Sequence, residues 1–296
     1  MRAVVFDRYG PPDVLRFADL PDPEPGPGEV LVKVHAAGVQ PFDVAVRAGR
    51  MPWVRADFPQ RIGQEYAGVV IAGDLAPGTP VLGSTMLNAV AEYVTVPAGN
   101  VVVKPAHLDF PTAAGLVAAS QTASGALIEL AVTEGDVLLL HAAAGSVGTI
   151  ATQLAVRAGA TVIGTASPGN HEYLRELGAV PVPYGMGLID AVRATGLTPT
   201  VALDAAGGEA IGQSVRLGVA PDRVGTIVDD KAAAEHGARV VRAGRSPQRL
   251  AEVVALPDLR MPIRAFGWER VTEAHAAVES RHGRGKVVLT IDQRNH

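Results

Sequence analysis

The sequence predicts an α/β chain in which a doubly wound parallel sheet is joined to a second, mostly-β, barrel-like lobe. From Asp136 onward, short apolar strands alternate with helical segments, the rhythm of a parallel sheet covered on both faces. Before Phe110 the texture differs, with short β-branched or alternating runs broken by turns.

In chain order, Arg2–Phe6, 29–36, 68–72 and 91–96 read as strands, and the PDPEPGPG run at 21–28 as a loop that no helix or interior strand accommodates. Residues 111–130 predict a helix with a break around the small residues 120–125. The apolar run 137–140 is a strand buried on both faces, followed by a small-residue turn at 142–148 and a helix over 149–157. Gly159 stands where that helix is capped, and 161–164 is the next strand. Further on come a helix at 170–177, a strand at 200–203, a helix at 209–217 and a strand at 224–228. ARVVR at 238–242 reads as an edge strand. Helices at 247–255 and 268–280 and a strand at 286–291 close the chain. The expected organisation is one lobe of 1–112 and 246–296 around a second of 113–245.

Composition narrows the function classes. At 296 residues the chain is long enough for two lobes, and a net charge of -4 with mixed signs gives no basic face for nucleic acid. The N-terminus MRAVVFDRYG lacks an apolar signal core, and no uninterrupted apolar stretch approaches the roughly 18 residues of a membrane span. Both point to a cytoplasmic protein with no membrane partner. Cysteine is absent, which removes disulfides, thiolate metal sites and thiol nucleophiles together. The eight histidines show no H-x-x-x-H or H-E-x-x-H spacing, so no metal site is expected.

The turn at 142–148, AAAGSVG, carries the chemistry. A pyrophosphate rests on a helix N-terminus only where the backbone comes close enough for its N–H groups to donate. Ala143, Gly145 and Gly148 occupy G-x-G-x-x-G positions, with Ala replacing the first Gly, after a buried strand and before a helix. Gly145, Ser146, Val147 and Gly148 are therefore the expected dinucleotide cradle. The second strand ends Thr165-Ala166-Ser167-Pro168, without the acid that would accept from a ribose 2′-hydroxyl. A 2′-phosphate meets no repulsion there and takes donors from Ser167 and Asn170, which points to NADPH.

Three blocks, VHAAGVQPFDVAVRAG at 34–49, GQEYAGVV at 63–70 and the AAAGSVG turn, together resemble the medium-chain dehydrogenase/reductase superfamily. The closer likeness is to its zinc-independent quinone oxidoreductases related to zeta-crystallin, and it extends to GKVVL at 285–289. The resemblance implies a Rossmann dinucleotide domain beside a GroES-like catalytic domain, assembled as a homodimer that pairs edge strands. Zinc-bearing members carry Cys and His where this chain has Gln40 and Gln64, and an amide is a poor ligand for catalytic zinc.

By resemblance Thr122 lies near the nicotinamide, and Gln40, Phe42 and Ser124 line the substrate pocket. His171, at a position where relatives have Lys, joins Tyr184 and a C-terminal cation, Arg284 or Lys286, around the 2′-phosphate. Asp43 and Arg47 hold their loop together. The implied activity is metal-free, NADPH-dependent reduction of a quinone or an α,β-unsaturated carbonyl. The alternatives are an enoyl reductase acting on a polyketide-type thioester and a non-catalytic NADPH-binding sensor. For the thioester, Arg47, Arg50, Arg55 and Arg61 offer a basic rim. Tyr residues common in relatives are replaced by Ala45 and Ser124, leaving no residue with an assigned catalytic proton. The GDLAPGTPVLG segment at 73–83 is short relative to the family's loop, which opens the pocket to a bulkier acceptor.

Overall fold

The computed structural model describes residues 1–281 and 283–291; the end of the predicted β lobe, 292–296, lies outside the described residues. The chain divides into two compact units, Met1–Ala118 with Ser246–His296, and Ala119–Arg245.

The first unit opens with β1 (Arg2–Phe6), β2 (Leu15–Asp19) and β3 (Glu29–Val39), followed by a short helix α1 (Pro41–Arg47). It continues through β4 (Gln60–Arg61), β5 (Glu65–Gly73), β6 (Pro80–Ser84), β7 (Tyr93–Pro97) and β8 (Val101–Val103). Strand β3 organises this unit. Val30, Val32 and Val34 point inward while Leu31 and Lys33 do not, the alternation expected of a sheet with one covered face. Register shifts opposite β5 end that alternation, so Ala36, Ala37, Gly38 and Val39 are all buried. Gly38 is required there, because a Cβ would sit 2.5 Å from the Glu65 carboxylate.

A long helix, α2 (Phe110–Glu129), begins within the residues of the first unit and ends within those of the second. The break expected at 120–125 is absent. Small residues let the helix bury most of its surface (Ala113, Ala114, Ala119, Ala123 and Ala126 are all buried), and the Ser124 hydroxyl returns to the Ser120 carbonyl at 2.6 Å.

The second unit alternates strand and helix: β9 (Val137–His141), α3 (Ser146–Arg157), β10 (Thr161–Thr165), α4 (His171–Glu176), β11 (Ala179–Val182) and α5 (Leu188–Ala194). Then come β12 (Val201–Asp204), α6 (Ala210–Arg216), β13 (Val224–Thr226), α7 (Asp230–His236) and β14 (Arg239–Val240). Every pairing is parallel, in the order β11-β10-β9-β12-β13-β14. That is the doubly wound Rossmann arrangement, and the strand order reverses beside β9, where ligands of such sheets bind. Leu138, Leu139 and Leu140 of β9 are fully enclosed, as a central strand requires.

The chain then returns to the first unit through α8 (Pro247–Val254), β15 (Ile263–Gly267), α9 (Val271–Glu279) and β16 (Lys286–Thr290). Strand β16 pairs antiparallel with β3 and parallel with β15, completing a seven-stranded sheet. The protein is thus mixed α/β, a Rossmann unit and a mostly-β, GroES-like unit.

Candidate functional site

The helix expected from Thr149 begins earlier, at Ser146, so the small-residue turn feeds directly into its first turn. Ala142 adopts a left-handed conformation (φ 58°), and its carbonyl accepts from the Gly145 N–H at 3.0 Å. The turn is anchored to β10: Ala142 N–H donates to Thr165 Oγ1 at 3.1 Å and Ala143 N–H to the Thr165 carbonyl at 3.0 Å. Gly148 has a measurable purpose, since a Cβ would stand 2.6 Å from the Ala143 Cα; only glycine lets helix and turn approach this closely. Ala143 replaces the first glycine without strain because Gly164 lies opposite it, where a side chain would meet the Ala143 methyl at 2.9 Å.

The N–H groups of Ser146, Val147 and Gly148 belong to the first turn of α3 and have no carbonyl one turn back within the helix. They form the donor set at a positive helix end that a pyrophosphate needs. In the same unit, Thr122, Ile227, Val241, Arg242 and Ala243 line a cavity of about 210 Å³. The last four residues follow β13 and β14 and were not expected at the site from the sequence, where Val241 and Arg242 stood only as part of an edge strand. The rule that ligands gather beyond the carboxyl ends of parallel strands was the signal that could have found them.

At the end of β10, Ser167 begins a single turn of 3-10 helix, Pro168–Asn170, and its hydroxyl accepts from Asn170 Nδ2 at 3.1 Å. His171 Nε2 lies 3.2 Å from the Ala166 carbonyl, so the ring is held against the strand end. Tyr184 follows β11 with 64% of its surface exposed. Lys286 has a different assignment from the one expected. Its ammonium is buried against the Glu65 carboxylate, which also accepts from the Ala118 N–H at 2.8 Å. A charge neutralised inside the β unit is not a surface cation for a 2′-phosphate. Arg284 is exposed on the segment leading into β16.

In the β unit, Gln40 N-caps α1, donating its backbone N–H to Asp43 Oδ2 at 3.0 Å while its side chain faces the Asp43 N–H in a capping box. The Gln40 amide nitrogen donates to Gln64 Oε1 at 2.8 Å, joining the two positions. Phe42 is half-buried and packs on the β-unit core. Ser124, in the other unit, is buried and gives its hydroxyl proton back to its own helix. The expected arginine rim does not form as a set of four: Arg47 is buried and donates to Glu279 at 2.5 Å, and Arg61 donates to the Asn88 carbonyl at 2.9 Å.

At the carboxyl ends of β9, β12 and β13 lies a network that no sequence motif announced. His141 Nε2 lies 2.9 Å from Ser214 Oγ, and Asp204 accepts from Thr226 Oγ1 and from the Ala206 and Gly207 N–H groups, each at 2.8 Å. Burial holds the His141 imidazole below its ordinary pKa, against a smaller opposing pull from Asp204.

Comparison with known proteins agrees with this architecture. Residues 26–106 match the alcohol dehydrogenase GroES-like domain family, and 189–289 match the zinc-binding dehydrogenase family. The quinone oxidoreductase structure from Coxiella burnetii superposes with a TM-score of 0.90 at 31% identity, covering 99% of both chains. The NADPH-dependent alkenal/one oxidoreductase of Arabidopsis thaliana chloroplasts is 26% identical across 98% of this chain and 79% of its own. A pikromycin polyketide synthase component from Streptomyces venezuelae is 35% identical over 91% of this chain, which spans only 8% of that protein. The zinc that the second family's description implies does not fit here. Gln40 and Gln64 are amides joined by a hydrogen bond, not the thiolate and imidazole a catalytic zinc takes, and among the described residues no group of three or more His, Asp or Glu could hold a metal ion. On fold, motif order and full-length likeness, the chain belongs to the medium-chain dehydrogenase/reductase superfamily of oxidoreductases.

Proposed function

We propose that this oxidoreductase binds NADPH on the α3 N-terminus and uses it to reduce a quinone or an α,β-unsaturated carbonyl without a metal. The observation that carries the reading is the Ala142–Gly148 turn, whose closeness to α3 depends on Gly148, set beside a β10 end with no acid. Ser146, Val147 and Gly148 N–H groups hold the pyrophosphate. Ser167 and Asn170 lie at the strand end where the 2′-phosphate is received, with His171 and Tyr184 on the elements that follow. When bound, the dihydronicotinamide supplies hydride, two electrons with one hydrogen, and solvent supplies the proton that completes the reduction. Thr122 borders the cavity proposed to receive the nicotinamide end, and in the β unit the hydrogen-bonded Gln40 and the half-buried Phe42 are the residues proposed to meet the acceptor. The protein's share of catalysis is alignment and electrostatic support for the acceptor oxygen. The named activities of the quinone and alkenal/one oxidoreductase relatives support the same acceptor class.

The test pairs binding with turnover. Calorimetric titration with NADPH and NADH is followed by NADPH oxidation with menadione, ethyl vinyl ketone and an enoyl thioester. Tighter binding of NADPH and turnover of the quinone or enone is the expected result. Preference for the thioester would place the chain with enoyl reductases, and binding without any turnover would make it a nucleotide-binding sensor.

A further inference from the structure

We propose that the side-chain amide of Gln64 is the hydrogen-bond donor to the acceptor's carbonyl oxygen, an inference that rests on the carbonyl-reducing function above. The orientation of that amide follows from a chain of polarities that begins at α1. The Asp43 backbone N–H can only donate, so the Gln40 side chain that completes the capping box turns its oxygen toward it. The Gln40 amide nitrogen is thereby directed away from the helix and donates to Gln64 Oε1 at 2.8 Å. Gln64 must then present its oxygen to Gln40 and its nitrogen to the opposite side, where Nε2 lies 3.8 Å from the Met86 sulfur.

A thioether is a weak acceptor on an unbranched, adaptable side chain. Met86 is 63% exposed, whereas Gln64 is only 7% exposed, so the sulfur covers a nearly dehydrated donor from the solvent side. A carbonyl oxygen that displaces the thioether exchanges a poor contact for a strong one, and the bond strengthens as negative charge builds on that oxygen. The neighbouring Glu65 does not oppose this charge, because its carboxylate is paired with buried Lys286. An amide offers a hydrogen bond but no labile proton, which agrees with solvent as the proton source. Gln40 is a positioning residue: it sets which end of the Gln64 amide faces outward.

Gln64→Glu is the discriminating variant. It is nearly isosteric and still accepts from Gln40, but it replaces the outward donor with an acceptor. The expected result is a fall in kcat of about 100-fold with menadione and ethyl vinyl ketone, the size seen when one oxyanion donor is removed. NADPH affinity should stay within about twofold of the parent, as for loss of a contact made only to the reacting oxygen. Gln64→Leu should behave alike. A readout free of turnover is the apparent pKa of para-nitrophenol bound to the protein, followed by absorbance. The parent should favour the phenolate, both Gln64 variants should lose that preference, and Gln40→Leu should lose part of it. Unchanged kcat in Gln64→Glu, no phenolate preference in the parent, or a preference that survives in the variants would each overturn the assignment. A parent that binds NADPH but reduces neither acceptor would instead defeat the function it rests on, while the phenolate titration would still decide the donor.

Discussion

At the scale of single residues, the G-x-G-x-x-G pattern was legible as a sequence, but the reason Ala tolerates its first position was not. That reason is Gly164, twenty-one residues away, which leaves room for the Ala143 methyl. Gly148 has no such relief, so Gly148→Ala should force α3 away from the turn and weaken NADPH binding at least about tenfold, as expected when donors are displaced from a phosphate. A fluorescence titration checks this, with circular dichroism confirming the fold. His275 of α9 was equally invisible to the sequence: it is fully buried, neither ring nitrogen has a hydrogen-bond partner among the described residues, and burial together with the nearby Arg47 guanidinium pushes its pKa down to about 3. The native value lies below the unfolded one of 6.5, so the neutral ring contributes full stability above pH 6.5. That contribution is lost as pH falls from 6.5 toward 3, by about 1.4 kcal/mol per unit in the steep range. Urea unfolding at a series of pH values should show His275→Leu flattening this acid slope, and an unchanged slope would contradict the assignment.

At the scale of elements, the strands and helices of the Rossmann unit were readable from their alternation, because period and punctuation are local properties. Burial partners are not local. Lys286 stood in the sequence as a basic residue near a phosphate-binding family position; the fold brings it from β16 to Glu65 on β5 and encloses both. The short helix α1 escaped detection for a related reason, since its seven residues carry too few turns for a periodic signal while its capping box depends on side-chain geometry. Lys286→Met should leave the Glu65 charge buried without its partner and cost about 3–5 kcal/mol, whereas Glu65→Gln with Lys286→Met should recover most of that loss. Chemical denaturation of the three variants measures the difference, and equal stability of the single and double mutants would refute it.

At the scale of the whole molecule, the two-lobed α/β plan was predictable because short strands broken by turns give way to strand–helix alternation after Asp136, while the strand order of each sheet emerges only from long-range pairing. The six-stranded sheet ends on β14, where Val240 is 40% exposed. The basic residues around it are turned aside, Arg239 to the Glu129 carbonyl at 2.5 Å and Arg242 to Asp230. The homodimer that the family resemblance implies would join at this edge by strand addition. Light scattering should then report a dimer, and Val240→Pro, which removes an edge N–H, should yield a monomer; a monomeric parent would dismiss the idea. Finally, the side chains of His141, Ser214, Asp204 and Thr226 tie α6 to β9 and β13 to β12 through bonds already made within the protein. A rim so braced does not have to become ordered when a guest arrives. The entropy of association is therefore set by the guest and its departing water, and the platform itself should show little change in amide exchange between the empty and filled forms.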